Sequence, residues 1–232
     1  MTAPKPSSPL PGLLLFLSAT TGLVDAASVL GLGKVFTANM TGNIVFLGFA
    51  AAGTPGFAVA PFVVAIATFM LGAVIAGRLG TAHVDRPLRH WLVRAAIVET
   101  ALLWIAALIA LRLDVARQTP EGSVLAVIAL TAIAMGFRNA TVRQLKVADL
   151  TTTVLTMTIT GIAADSRLAG GRGGNLGRRV GAIAAIFAGA AVGALLVLHV
   201  GLAIPLALAG LMVLVGTLAC ARHPSADRPR GV

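Results

Sequence analysis

Six runs of mostly apolar residues, at about 10–33, 56–78, 92–112, 123–143, 179–199 and 201–221, set the terms for anything this chain can fold into. The hydrocarbon core of a bilayer, roughly 30 Å thick, is crossed by roughly 20 such residues in a helix rising about 1.5 Å each. Each run is therefore expected to span a membrane. Composition agrees, since 57% of the 232 residues are hydrophobic and only 11% are charged. A soluble domain carries about 25% charged residues, and so few polar side chains would leave a water-facing surface uncovered. The composition does not fit a soluble enzyme, a secreted scaffold or a disordered tail. The first run is read as a retained span rather than a signal peptide: it is longer than a typical signal core, contains Asp25 and matches a later part of the chain.

The net charge of +10 would suit nucleic acid, but the basic residues are scattered between the apolar runs and no aromatic platform accompanies them. In a membrane protein the same excess is what cytoplasmic loops facing anionic lipid require. The single Cys220 forms no intrachain disulfide, and no metal-ligand or nucleophile motif is present, which argues against an enzyme. The glycine-rich stretch Gly170-Gly171-Arg172-Gly173-Gly174-Asn175 lacks the Lys-Ser/Thr of a phosphate loop and reads as a flexible basic linker.

Two further stretches, about 37–53 and 150–165, are apolar but short and rich in Thr and Gly. At ~15 residues each would reach only ~23 Å, so both are expected to be broken or re-entrant. They also belong to a repeat. Gly22-x-x-Asp25-Ala26, near the end of the first span, recurs as Gly136-x-x-Asn139-Ala140 near the end of the fourth. A basic residue follows each, Lys34 in the first case, Arg143 and Lys146 in the second. Thr37-x-Asn39-Met40-Thr41-Gly42-Asn43 then aligns with Thr152-Thr153-Val154-Leu155-Thr156-Met157-Thr158 after a one-residue gap. Two full spans follow each short segment. One integral membrane domain results, with an N-terminal tail 1–9, a first repeat 10–113, a second repeat 122–221 and a C-terminal tail 222–232.

Charge decides between topologies. If all eight stretches cross, the basic residues divide almost evenly between the two sides. If the short stretches dip in and return, only Lys34, Arg112 and Arg117 lie outside. The positive-inside rule favours the second arrangement. Each half then crosses an odd number of times, so the second is inverted relative to the first. Such inverted repeats place solute sites near the midplane between paired broken segments. Non-helical backbone at that depth must be covered by protein or line a water-filled cavity, so the two segments are expected to face each other, away from lipid.

The candidate chemistry follows from that geometry. Asp25 is an acid well inside the first span, and an intramembrane acid is a functional candidate by default. The alternative is a structural partner for Arg138, Lys34 or free helix termini. Asn139 is its neutral counterpart in the second half. Thr37, Asn39, Thr41, Gly42 and Asn43 form the densest polar cluster in an apolar context. They offer uncharged donors and acceptors beside a backbone that glycine lets approach a ligand. The matching ladder is Thr152, Thr153 and Thr156, with Thr151, Thr158 and Thr160 around it. Helix capping and helix–helix hydrogen bonding are the structural readings of the same residues. Arg138, Arg143, Lys146 and Asp149 are expected to anchor the mouth of the second segment, with gating as the alternative. Glu99 is expected to pair with a basic loop side chain, with a proton-relay role as the alternative. Gly181, Ala185, Gly189 and Gly193 recur every four residues, a stripe that more often packs helices within a chain than between chains.

The segment FTANMTGNIVFLG, with the Gly22/Asp25 end of the preceding span, resembles the YoaK family of bacterial inner-membrane proteins. Thr41-Gly42-Asn43 matches the family's Thr-Gly-Asn signature. Gly136, Asn139-Ala140, Thr152-Thr153 and Thr156 match its second-half pattern. Arg138 stands where the family tends to have Gln, and Met157 where a second Thr-Gly is expected. The resemblance, over about residues 10–221, implies a multi-pass bacterial inner-membrane protein and supplies no substrate.

The expected fold is all-α and polytopic, with six transmembrane helices and two short broken or re-entrant helices in an inverted 3+3 internal repeat. Its expected function is that of a transporter or channel-like permease for a small polar or anionic solute. The site would lie between the two short segments, at Asp25, Thr37, Asn39, Thr41, Gly42, Asn43, Asn139, Thr152, Thr153 and Thr156, with Asp25 as the group through which protons could be coupled. The rival reading is a non-transporting sensor or assembly module in which the Thr-rich segments only pack helices. Neither involves a cofactor or metal. The partners are the lipid bilayer and a solute, with no nucleic acid, and a homodimer through small-residue faces is a further option. The location expected is the inner membrane, both termini cytoplasmic.

Overall fold

The computed structural model describes residues 9–83, 87–145, 155–171 and 175–224, and its regular elements are helices throughout. They are α1 Leu10–Gly31, α2 Met40–Ala51, α3 Val59–Thr81, α4 Leu88–Ala110, α5 Glu121–Leu145, α6 Leu155–Ala164, α7 Leu176–Val200 and α8 Ala203–Ala221, with one 3-10 turn at Arg167–Ala169. Six of them, α1, α3, α4, α5, α7 and α8, are long and apolar enough to cross a membrane. With 12 and 10 residues, α2 and α6 are not.

Local chemistry moves the ends from where hydropathy alone puts them. The first span stops at Gly31 because Gly33 (φ 75°) and Lys34 (φ 68°) adopt left-handed backbone, which an α-helix cannot continue. Pro87, at the N-cap, starts α4 ahead of the apolar run, where its fixed φ suits a helix start. Glu121 in the first turn and Arg143 in the last extend α5 beyond its apolar stretch; both signs suit the helix dipole.

Helices pack in a cross-linked pattern. α1 lies along α7, α3 along α5, and α4 along α8, with α4 also against α5 and α1 against α8. The α1–α7 and α3–α5 contacts are backbone to backbone, at glycines. A Cβ on Gly22 would overlap the Ile186 carbonyl, and one on Gly189 the Ala19 carbonyl. A Cβ on Gly136 would overlap the Phe69 carbonyl, and one on Gly72 the Ile133 carbonyl. Small residues let helices approach this closely where no hydrophobic force drives them together. The Gly189 and Gly193 stripe of α7 is thus spent inside the chain, against Ala19 and Leu23 of α1.

Contacts at one end of the bundle fix how the chain runs. The Lys34 ammonium sits 4.7 Å from the Phe57 ring centroid. Gln118 Nε2 donates to the Gly31 carbonyl at 3.1 Å, and Leu202 packs on Gly31. The end of α1, the start of α3, the α4–α5 connection and the α7–α8 connection therefore share that end. The segment carrying α2 leaves it and returns to it, so α2 does not carry the chain to the opposite end of the bundle. Phe46 holds α2 down, with ring centroids 5.3 Å from Phe57, 5.9 Å from Phe62 and 6.1 Å from Phe36.

The expectation that both short segments would hide from lipid needs correcting. Asn43 is the one fully buried residue of α2, and α6 has none. Ile44, Phe49, Met157 and Ile159 lie on the outside. A helix satisfies its own backbone and can face hydrocarbon; only the non-helical stretch must be covered.

Candidate functional site

Between α1 and α2 the N–H groups of Leu32 and Lys34 still bond back to Ser28 and Val29 of α1, and residues 35–39 then run on without helical hydrogen bonds. Their backbone groups must find partners, because each left unpaired costs about 1–3 kcal/mol. Two side chains supply them. Asp25 Oδ1 accepts from the N–H groups of Ala38 at 2.9 Å and Thr37 at 3.2 Å. Asn43 takes both polar groups of one residue: Phe36 N–H donates to its Oδ1 at 2.9 Å, and its Nδ2 donates to the Phe36 carbonyl at 2.6 Å. Gly42 makes room for the fold-back, since a Cβ there would stand 2.8 Å from the Phe36 ring. Asp25 and Asn43 replace the water and the helix partners that this bend lacks. The carboxylate is stabilised by two oriented amides, and its backbone partners answer the structural question the sequence left open between Arg138, Lys34 and free helix termini.

The bend delivers α2 to a cavity of about 1570 Å³ bounded by α1, α2, α3, α5, α6 and α7. Asp25, Asn39, Thr41 and Gly42 line it from the first half, and Asn139, Arg143 and Thr156 from the second. The first turn of α2 opens onto it with no side-chain cap from Asn39, and α6 presents Leu155 and Thr156, its first two residues. The first turn of α2, whose leading N–H groups have no helical carbonyl to bond, and the first described residues of α6 thus border one space. Asn139 also donates to the Met135 carbonyl at 2.9 Å. Apolar side chains from α1, α3 and α7 complete the walls.

Six of the residues singled out by sequence therefore meet: Asp25, Asn39, Thr41, Gly42, Asn139 and Thr156. Two do not reach the cavity. Thr37 and Asn43 are each 0% exposed, beneath the bend. Thr152 and Thr153, with Thr151, Lys146 and Asp149, lie outside the described residues.

Sequence reasoning misplaced one element of the site's support. Arg138 is not a mouth residue. It is 2% exposed, and its guanidinium pairs with Glu99, itself 4% exposed, from α4. Arg138 Nη1 also donates to Thr20 Oγ1 at 2.7 Å, Thr21 Oγ1 at 3.1 Å and the Leu17 carbonyl at 3.3 Å. One side chain of α5 thereby holds α4 and the stretch of α1 just before Asp25. Glu99 has its partner inside the bundle rather than in a loop. The signal was available: charges within spans come in pairs, and Glu99 and Arg138 are opposite charges in two different spans. Among the described residues no cluster of three His, Cys, Asp or Glu is placed to hold a metal ion.

A family profile described as "Protein of unknown function (DUF1275)" matches residues 13–219. Among curated proteins, the chain is similar to the UPF0700 transmembrane protein YoaK of Bacillus subtilis (strain 168), 33% identical over 153 residues. The match takes in 66% of this chain and 65% of that protein, a little under two thirds of the relative's length. No solved structure matches significantly.

Proposed function

We propose that this chain, which belongs to the DUF1275 family, is a transporter or channel-like permease for a small polar or anionic solute. The observation that carries this reading is the cavity of about 1570 Å³ at which both short helices begin. Purely structural short helices would be expected to bury their polar ends against protein, whereas these border open volume beside Asp25 and Asn139.

An inverted repeat organises the site in this reading. The reciprocal glycine contacts support it: Gly22 on Ile186 has its counterpart in Gly136 on Phe69, and Gly189 on Ala19 in Gly72 on Ile133. Each half would lend its first span to the other half's second. The membrane orientation follows from charge. Lys34, Arg112 and Arg117 mark the end that carries the α2 bend, whereas Arg78, Arg89, Arg178, Arg179 and Arg222 cluster at the other. The basic end, with both termini, would face the cytoplasm of a bacterial inner membrane.

Asp25 is the proposed coupling group, and its backbone bonds give a clean way to ask. Asp25→Asn keeps an oxygen acceptor for the Thr37 and Ala38 N–H groups while removing the titratable carboxyl. The expected result in proteoliposomes, with a labelled panel of carboxylates, amino acids and phosphate, is solute uptake that a pH gradient stimulates in the parent. Asp25→Asn is expected to keep its thermal stability and lose that stimulation. Unchanged stimulation would remove Asp25 from coupling, and no flux for any solute would remove the permease reading.

Access to the cavity is tested by labelling. With Cys220, which is buried, first replaced by Ser, Cys at position 41 is expected to react with a membrane-impermeant polar thiol reagent. Cys at position 43 should stay silent, because Asn43 is sealed under the bend. Equal silence at both positions would favour a packed sensor or assembly module.

A further inference from the structure

We infer that the cavity receives an amphipathic organic anion, an acidic head on an apolar body, with Arg143 as the residue that selects for the negative charge. The inference rests on the cavity being the solute site proposed above. Arg143 lies in the last turn of α5, exposed, on the cavity wall. Among the described residues it has no ion-pair partner. Its neighbours in kind differ: Arg138 is paired with Glu99, and Arg179 with Asp165 at 2.7 Å. Asp25, the one acid on the wall among the described residues, already has its Oδ1 engaged by two backbone N–H groups. Among the described residues of the wall, the cation left without an ion-pair partner is Arg143, and its planar fork suits a carboxylate or phosphate head.

Size and lining narrow the ligand further. Pockets for drug-sized ligands occupy roughly 300–1,000 Å³, so about 1570 Å³ is far more than a bare inorganic anion needs. Val29, Phe46, Phe69 and Ile186 supply apolar wall that would leave the hydroxyls of a sugar unpaired. An apolar body fills that wall, and an acidic head reaches Arg143 and the uncapped N-terminal turn of α2.

The test separates binding from transport. The full-length chain, purified in detergent, is titrated calorimetrically with benzoate, hexanoate, benzamide, acetate and chloride. Benzoate and hexanoate are expected to bind saturably, and benzamide and acetate about tenfold or more weaker, since one lacks the charge and the other the body. Arg143→Gln is expected to weaken benzoate about tenfold or more, the loss of one charge-assisted hydrogen bond, with an unchanged melting temperature. Arg143→Lys, which keeps the charge and loses the planar fork, should fall between the parent and Arg143→Gln. Benzamide binding as well as benzoate, chloride competing on equal terms, wild-type affinity in Arg143→Gln, or no saturable binding by any probe would each overturn the inference. Arg143-dependent benzoate binding without flux in liposomes would uphold it while defeating the permease reading. Flux of another solute without carboxylate binding would do the reverse.

Discussion

Glu99→Ala is expected to cost this fold about 3–5 kcal/mol, the usual penalty for breaking a buried ion pair by removing one partner. What matters is the charge left behind. Arg138 is 2% exposed, at the junction of α1, α4 and α5. Its Nη1 bonds to Thr20, Thr21 and the Leu17 carbonyl would survive, but those partners are neutral. A full positive charge would remain in a medium of low dielectric, with only the charge interaction to Asp25 left to offset it. The expected readout is a large drop in the detergent melting temperature, or loss of the monodisperse peak on size exclusion. The double variant Glu99→Leu with Arg138→Met removes both charges and conserves volume, and is expected to recover most of the loss, because apolar replacement of a whole buried pair is often neutral or better. With the single variants Glu99→Leu and Arg138→Met measured beside it, the non-additivity of the resulting cycle measures the pairing itself. Should Glu99→Ala melt like the parent, the Arg138 guanidinium must reach water or another acid, and the tie between α4, α5 and α1 is not what holds the bundle.

The spans were legible because a run of about 20 apolar residues answers to the bilayer, not to any particular neighbour. Their ends were less so: Gly33 and Lys34 stop α1 through backbone conformation, which hydropathy does not register. Much of the site could also be read. Asp25 and the polar cluster at residues 37–43 stand out against an apolar background, and Asp25, Asn39, Thr41, Gly42, Asn139 and Thr156 do line one cavity. The division of labour within the cluster was hidden. Asn39 and Asn43 offer the same amide, yet Asn39 lies on the cavity while Asn43 is consumed by the Phe36 backbone. Which amide does which depends on how the bend folds back, a three-dimensional fact that composition and spacing do not carry. Arg138 was misread for a related reason. It sits near Arg143 in sequence, and only the packing of α4 on α5 sets it against Glu99 while leaving Arg143 on the cavity.

A one-methyl change at the helix crossings should also be felt, at about half the cost of the lost carboxylate. Gly136→Ala adds a Cβ where the Phe69 carbonyl of α3 already sits. Alanine is the better helix former by about 1 kcal/mol, so on propensity alone the substitution would stabilise α5. Steric conflict opposes it. Overpacking a well-filled contact costs about 1–3 kcal/mol even where side chains can turn aside; here the obstacle is backbone, so the two helices must separate along their length. A net destabilisation of about 2 kcal/mol is expected, near the upper part of that range once propensity is offset. Gly77→Ala on α3 is the control, because nothing stands within 4 Å of its added Cβ; it should be neutral or slightly stabilising. Gly22→Ala probes the α1–α7 crossing, where the new methyl meets the Ile186 carbonyl. If the two crossings are equivalent joints, Gly22→Ala and Gly136→Ala should lower the melting temperature by similar amounts. They should also both disturb cavity access, since α1, α3, α5 and α7 all contribute to its walls. Melting curves in which Gly136→Ala matches Gly77→Ala would mean that α3 and α5 are not in backbone contact, and the cavity they help enclose would then have a different shape.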